Sequence, residues 1–168
     1  MQVFLIRHPR PLIRTGICYG QLDVDCEDPA PIAVRLQACL PTGTPVISSP
    51  LRRARRLATA LDPEAGIDER LSEINFGAWE GLAWDTISRT ALDDWAADVL
   101  HFTPPGGESV ADLQRRAIDF AQSLNTPRIA LVCHAGIMRA LVGHWRQMPL
   151  AEWSQLKFDF GSLLEIEI

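Results

Sequence analysis

The sequence predicts an α/β fold in which helices cover both sides of a mostly parallel sheet. Short continuous apolar runs, typical of strands buried on both faces, occur at 3–6, 45–48 and 128–133. A stretch with helical spacing of apolar residues follows each of the first two runs, and another precedes the third. Strands that alternate with helices in this way are typical of parallel sheets. The 168 residues suffice for one domain with a core, and we expect a single domain over 1–168.

The first half of the chain contains two predicted strands and two predicted helices. The run "VFLI" at 3–6 leads into a loop-like segment at 11–29 that is punctuated by glycine and proline. A helix is predicted over about 30–40, where apolar residues recur every four positions. The second strand, "PVISS", ends at Ser49. Ser49 and Pro50 suit the N-cap and first position of the helix that runs through "LRRARRLATAL".

The second half continues the alternation. The stretch 71–82, "LSEINFGAWEGL", is strand-like and then turns at its glycines, and one or two helices are predicted over 83–99. Ser109 and Asp112 have the spacing of a capping box at the start of a further helix. The chain then offers a third buried strand "RIALVC", a helix over about 136–147 and a closing strand "SLLEIEI".

Composition excludes several classes of partner. The formal net charge of −5 gives no reason to expect nucleic acid binding. No apolar run approaches the roughly 20 residues of a membrane span, and the N-terminus lacks the features of a signal peptide. The four cysteines lack metal-ligand spacing, so we expect reduced thiols. We therefore expect a cytoplasmic protein that binds neither nucleic acid nor membrane, and no feature of the sequence indicates its oligomeric state.

Polar side chains follow each of the three predicted buried strands. The first runs into Arg7 and His8, the second into Ser49 and then Arg53, and the third into His134. Ligands of open parallel α/β sheets bind just beyond the carboxyl ends of the strands. If the three strands are parallel neighbours, two arginines and two histidines meet at one edge of the sheet.

These residue types suit the transfer of a phosphoryl group. Two arginine forks, Arg7 and Arg53, can clamp the oxygens of a phosphate dianion, and the start of a helix at Arg53 also favours an anion. A neutral imidazole can attack phosphorus and carry it covalently, while the second histidine stabilises developing charge. Glu73 could protonate the leaving alkoxide, or it could simply pair with an arginine. One histidine at a strand end is more often structural than catalytic, but the combination of four residues favours a site.

Four segments resemble, in order, the motifs of the histidine phosphatase superfamily, which also contains the cofactor-dependent phosphoglycerate mutases. They are "LIRHP", "SSPLRRARRLA", "LSEINFGAWEG" and "LVCHAG". The resemblance implies a three-layer α/β/α sandwich like that of phosphoglycerate mutase, and a hydrolase that forms a phosphohistidine intermediate. It implies His8 as nucleophile, Glu73 as proton donor, and Arg7, Arg53 and His134 as phosphate ligands. We expect neither a metal nor another cofactor, because the arginines supply positive charge and no cluster of metal ligands is present.

Two loops indicate a narrower resemblance within this family. The segments "GICYGQLDVD" and "PPGGES" most resemble the α-ribazole phosphatases of cobalamin biosynthesis. This implies α-ribazole 5′-phosphate as substrate. Tyr19 could stack on the ring of such a substrate, and Glu108 could accept a hydrogen bond from its ribose. Tyr19 could equally cover the core. A phosphohistidine-protein phosphatase and a broad small-molecule phosphatase are alternative enzymes, and an inactive phospho-ligand binding module is the alternative outside catalysis.

One position departs from the family pattern. Pro9 follows the predicted nucleophile where the family has glycine, and proline provides no amide donor for a phosphate. Arg14 stands where the family often has asparagine. Two interpretations of Arg14 stay open: a cation that replaces the lost phosphate contact, or an ordinary exposed arginine. Because the four motifs are otherwise intact, we expect an active enzyme with altered affinity or substrate range.

Overall fold

The computed structural model describes residues 1–168, with five strands and six α-helices. The strands are β1 (Gln2–Arg7), β2 (Val46–Ser48), β3 (Gly66–Ile67), β4 (Arg128–Cys133) and β5 (Leu163–Glu167). The helices are α1 (Ala30–Gln37), α2 (Arg52–Leu61), α3 (Arg89–Ala97), α4 (Val110–Gln122), α5 (Ala135–Trp145) and α6 (Leu150–Trp153). Short 3₁₀ helices occupy Glu69–Leu71, Gly77–Trp79 and Trp84–Thr86. No helix combines the length and the apolar character needed to cross a bilayer.

The strands form one sheet in the order β3-β2-β4-β1-β5. The first four strands of this order are parallel, and β5 pairs with β1 in the antiparallel direction. Arg7 lies opposite Cys133 in the register of β1 and β4, and Ser48 of β2 lies opposite Val132. The three central strands therefore end at the same level, and the prediction of a mostly parallel sheet is confirmed.

Alternate side chains of the central strands enter two separate cores. Phe4 and Ile6 of β1 pack in a buried cluster with residues of α1 and α2. Val3 and Leu5 pack on the opposite face in a cluster with residues of α4 and α5. This division follows from the twofold alternation of side chains along a strand. The three-layer α/β/α sandwich predicted from the sequence is confirmed.

The strand predicted within 71–82 is wrong. This stretch contains the 3₁₀ helix Gly77–Trp79 and follows another, while the edge of the sheet is taken by β3. Leu71 and Ile74 are buried in the core beneath α4 and α5, which explains the strand-like apolar pattern. Their backbone turns away from the sheet, because a pattern of burial does not specify hydrogen bonding to another strand.

The predicted start of the second helix is also wrong. Helix α2 begins at Arg52, and its N-cap is Leu51, whose side chain makes no capping hydrogen bond. Ser49 lies two residues earlier, and its hydroxyl lies 2.8 Å from Nε2 of His134. A tertiary contact at the strand end therefore replaces the local capping role. The capping box predicted for Ser109 and Asp112 is confirmed at the start of α4.

The short helix α6, which the sequence analysis did not predict, packs on α5 through a close contact. A Cβ atom added at Gly143 would lie 2.6 Å from Cγ of Trp153. Real Cβ atoms do not approach another carbon atom so closely. The Trp153 side chain of α6 therefore packs against α5 at a position that only glycine leaves open.

This contact predicts the effect of adding one methyl group. Alanine is worth up to about 1 kcal/mol more than glycine in an open helix, but Gly143→Ala should destabilise the protein by about 1–3 kcal/mol through overpacking. Urea unfolding measures the change. The loss of stability should be smaller in a Trp153→Ala background, since the contacts with ring atoms Cγ at 2.6 Å and Cδ1 at 2.8 Å are then absent. An increase in stability for the single variant would contradict the contact.

Candidate active site

The carboxyl edge of the sheet gathers four of the residues that the sequence singled out. Arg7 ends β1 and His8 follows it, His134 follows β4 immediately, and Arg53 lies in the first turn of α2. The ring centroids of His8 and His134 are 4.9 Å apart. His8, Arg53 and His134 are each at most 2% exposed. Buried polar groups of this kind need partners, and the partners determine what chemistry each group can perform.

The His8 ring is oriented by the backbone of the next residue. Its Nδ1 lies 2.6 Å from the carbonyl oxygen of Pro9, so Nδ1 carries the proton and Nε2 presents a lone pair. Burial, with the positive charges of Arg53 and Arg7, lowers the pKa of His8 to about 3. A neutral ring with a free nitrogen is the form that can attack phosphorus. Pro9 therefore supplies the acceptor that fixes the tautomer, although it supplies no amide donor.

The two arginines are held by carbonyl oxygens rather than by carboxylates. Arg53 donates from Nη1 to the Leu22 carbonyl at 3.0 Å and from Nη2 to the Gly20 carbonyl at 2.5 Å. Arg7 donates from Nη1 to the Phe158 carbonyl at 2.5 Å. Because no ion pair neutralises them, their positive charges remain available to a dianion at the strand ends.

His134 is fixed by Ser49 and keeps one ring nitrogen free. The Ser49 hydroxyl accepts from the Leu51 amide at 3.3 Å, and it can donate to Nε2 of His134 at 2.8 Å. This assignment places the ring proton on Nδ1, which is buried and has no partner in the protein. Burial, followed by the charges of His8 and Arg53, holds the pKa of His134 well below its usual 6.5. A neutral donor of this kind suits a phosphoryl oxygen.

Glu73 lies at the same edge, with its carboxylate at the start of α5. Its Oε1 accepts from the Ile74 amide at 2.9 Å, and its Oε2 accepts from the Gly136 amide at 3.2 Å. The first turn of a helix favours a carboxylate through its free amides. A Cβ atom at Gly136 would clash with this carboxylate, so the site needs glycine there. Glu73 forms no ion pair with an arginine, and its carboxylate is held by the two amides instead.

Arg116 of α4 holds the segment that carries Glu73, and sequence reasoning missed it. Its guanidinium donates to the carbonyls of Arg70 at 2.8 Å, Ser72 at 2.6 Å and Glu73 at 3.0 Å. It also pairs with Glu108 at 2.6 Å. These carbonyls lie 43 to 46 residues away along the chain. No local sequence signal could therefore have identified this residue.

The structure does not bring Glu108 into the site as a substrate ligand. One carboxylate oxygen accepts from the Asn75 amide at 2.9 Å and from Arg116, and the other accepts from Arg116 at 3.1 Å. Glu108 does not line the cavity that contains Arg7 and Glu73. It instead links Asn75, which lies between the first two 3₁₀ helices, to Arg116 of α4.

Tyr19 and Arg14, the other two predicted substrate contacts, lie in different places. Tyr19 lines a cavity of about 250 Å³ together with Arg7 and Glu73, and its ring centroid lies 5.1 Å from the Arg53 guanidinium carbon. Arg14 is exposed and borders a separate surface cleft beside Trp84. Of the two interpretations, the structure favours an ordinary exposed arginine, since Arg14 does not line the cavity that contains Arg7 and Glu73.

The loop that carries Tyr19 is tied to the segment that carries Glu73. One carboxylate oxygen of Glu80 accepts from the Gln21 amide at 2.8 Å and from the Phe76 amide at 2.9 Å. Glu80 therefore fixes the loop that carries Tyr19 against the segment that carries Glu73. Around these segments, Trp84 and Trp95 stack with ring centroids 5.7 Å apart and pack against a small buried apolar cluster.

Comparison with known proteins assigns the chain to a family. The profile of the histidine phosphatase superfamily (branch 1) matches residues 3–168. The chain belongs to this superfamily. It shares 30% identity with the glucosyl-3-phosphoglycerate phosphatase of Mycolicibacterium vanbaalenii, over 92% of this chain and 78% of that protein. It shares 26% identity with the putative phosphoserine phosphatase 2 of Hydrogenobacter thermophilus, over 99% of this chain and 89% of that protein.

A solved structure agrees with this assignment. The native structure of a mycobacterial glucosyl-3-phosphoglycerate phosphatase superposes with a TM-score of 0.84 at 26% identity, over 98% of this chain and 88% of that chain. Family and relatives together establish that the protein is a phosphatase. The narrower expectation of an α-ribazole phosphatase receives no support from these relatives, whose names refer to other substrates.

The low pKa of His8 predicts a specific dependence of stability on pH. The unfolded chain binds a proton on His8 near pH 6.5, whereas the folded chain does so only near 3. The unfolding free energy should therefore fall by up to about 1.4 kcal/mol per pH unit as pH decreases below 6.5, and His8 should contribute no slope above that value.

Urea unfolding of the wild type and of His8→Asn between pH 7.5 and pH 4.5 measures this slope. The variant should lose less stability over the interval, because it removes one of the buried neutral imidazoles. His101→Asn is the control, because His101 is exposed and lies outside the site. Equal slopes for the wild type and His8→Asn would contradict the burial of a neutral His8.

Proposed function

We propose that the protein hydrolyses the phosphomonoester of a small metabolite by transferring the phosphoryl group to His8 and then to water, without a metal or other cofactor. The observation that carries this proposal is the state of His8. Its Nδ1 proton is held by the Pro9 carbonyl, and its Nε2 lone pair lies at the edge where Arg7 and Arg53 gather without carboxylate partners. A neutral imidazole with a free lone pair can attack phosphorus, and two arginines without carboxylate partners can bind the oxygens of a phosphate dianion.

The first step transfers the phosphoryl group from the alcohol to the enzyme. Nε2 of His8 forms a bond to phosphorus while the bond from phosphorus to the ester oxygen breaks. Arg7, Arg53 and the Nδ1–H of His134 hold the equatorial oxygens. For this step the carboxyl group of Glu73 must carry a proton, which it gives to the departing oxygen so that a neutral alcohol leaves.

The second step returns the enzyme to its starting state. The Glu73 carboxylate takes a proton from a water molecule, whose oxygen attacks the phosphorus of phosphohistidine. The bond from phosphorus to Nε2 breaks, and inorganic phosphate leaves with the same arginines as partners. The Pro9 carbonyl keeps the Nδ1 proton in place throughout, so the lone pair returns to Nε2.

The substrate class that the site supports is a small organic phosphate. The cavity of about 250 Å³ beside Glu73 suits a small phosphomonoester. α-Ribazole 5′-phosphate stays a candidate through the loop resemblance and through Tyr19, which lines this cavity. It loses the ribose contact expected from Glu108, whose carboxylate is held by Arg116. No structural feature specifically favours a phosphohistidine-protein substrate.

The covalent intermediate gives the most direct test. Rapid quenching with ³²P-labelled 4-nitrophenyl phosphate, in buffer containing excess EDTA, should trap protein-bound phosphate that survives alkali and is lost in acid. His8→Ala should abolish both the label and turnover, since no other group replaces the Nε2 lone pair. His101→Ala, which changes an exposed histidine outside the site, should retain both. Full activity in His8→Ala would sink the mechanism, and a requirement for one specific ion after chelation would remove its metal-free form.

Glu73 should show its role through the leaving group. Glu73→Gln should slow hydrolysis of alkyl phosphates by about 10²–10⁴-fold, because their alkoxides need a proton in the transition state. Hydrolysis of 4-nitrophenyl phosphate should change much less, since nitrophenolate leaves without protonation. Comparison of kcat/KM for the two substrate types in wild type and variant measures the difference. Equal losses on both would argue against Glu73 as the acid.

A further inference from the structure

A large and mostly apolar cavity lies beside the strand-end site rather than within it. It measures about 590 Å³, and 10 of its 14 lining residues are hydrophobic. We refer to it as the apolar groove, whose walls include Trp95, Val99, Leu113, Leu150 and Trp153. A concave, largely apolar cavity of this size is typical of small-molecule sites.

The apolar groove adjoins the cavity that contains Arg7 and Glu73. Four residues line both: Ile74, Phe76, Gly136 and Arg139. Two of these, Ile74 and Gly136, provide the amides that hold the Glu73 carboxylate. The proposed acid therefore lies at the junction of the two cavities.

This junction determines where the alcohol part of a substrate can extend. The phosphoryl group must contact His8 and the arginines, and the ester oxygen must contact Glu73 to receive its proton. The atoms beyond that oxygen then lie next to Ile74 and Gly136, where the apolar groove begins.

We propose that the apolar groove binds the alcohol part of the substrate, and that the preferred substrates are phosphomonoesters whose alcohol carries an extended hydrocarbon group. This inference rests on the proposed function. The only charged side chain on the groove wall is Arg139, and its Nε donates to the Leu156 carbonyl at 2.8 Å. A sugar hydroxyl or a carboxylate would lose its hydrogen bonds to water along most of this wall.

A series of n-alkyl phosphates tests the proposal with the chemistry held constant. Ethyl, butyl, hexyl and octyl phosphate have nearly the same leaving group, so differences in kcat/KM report binding of the chain. We expect kcat/KM to rise by about two- to fourfold per methylene group until the groove is filled. Phosphoserine and 3-phosphoglycerate, which carry charged groups instead of a chain, should have a lower kcat/KM than butyl phosphate.

Two matched variants locate the effect. Val99→Asp places a charge on the groove wall at a residue that is 37% exposed, so the fold should tolerate it. The ratio of kcat/KM for octyl to ethyl phosphate should fall at least tenfold in this variant. Val34→Asp makes the same change on α1, where the side chain is 70% exposed and lies outside the groove. It should leave the ratio and the melting temperature unchanged.

Each outcome separates this inference from the proposed function. A flat or falling alkyl series in an enzyme that still forms phosphohistidine would overturn the groove assignment alone, as would a tenfold preference for phosphoserine or 3-phosphoglycerate over octyl phosphate. A flat series, with a dimer in sedimentation that Val99→Asp converts to a monomer, would identify the groove as an interface between copies. Absence of both turnover and covalent label with 4-nitrophenyl phosphate would remove the proposed function itself.

Discussion

The parallel pairing of β1 with β4 places Arg7 opposite Cys133, and the geometry of the site depends on this register. It brings His8 and His134, each one residue beyond its strand, within 4.9 Å between ring centroids. A slip of one residue would turn every side chain of β1 to the opposite face of the sheet. The two separate cores oppose such a slip, because Phe4 and Leu5 are buried in different clusters.

The same register gathers positive charge at a place that is shielded from solvent. Arg53 is fully buried, and its guanidinium is oriented by two carbonyl groups of the loop before α1. Hydrogen bonds to neutral carbonyl groups hold the guanidinium in position and leave its positive charge unneutralised. The nearby histidines respond by remaining neutral, which leaves Nε2 of His8 as a lone-pair donor. Holding the proposed nucleophile neutral should lower the free energy of unfolding below neutral pH.

In the proposed mechanism, the residues around Glu73 connect the reaction to the choice of substrate. Arg116 fixes the backbone of this segment, and Gly136 allows the carboxylate to approach the start of α5. Because the same segment borders the apolar groove, a change there can alter substrate preference while the strand ends stay as they are. This separation fits a family in which relatives with similar folds are named for different phosphate esters.

The sequence by itself determined the central strands, the fold class and the polar residues at the strand ends, because these depend on apolar runs and on the residue that follows each run. It also determined the capping box of α4, whose partners are three residues apart. Only the tertiary structure decided the conformation of 71–82, the pairing of Ser49 with His134, the coupling of Glu108 to Arg116 and the apolar groove. An apolar pattern reports that a side chain is buried, but it does not report its partner. Ser49 and His134 are separated by 85 residues, and such contacts arise only when the sheet places distant segments together.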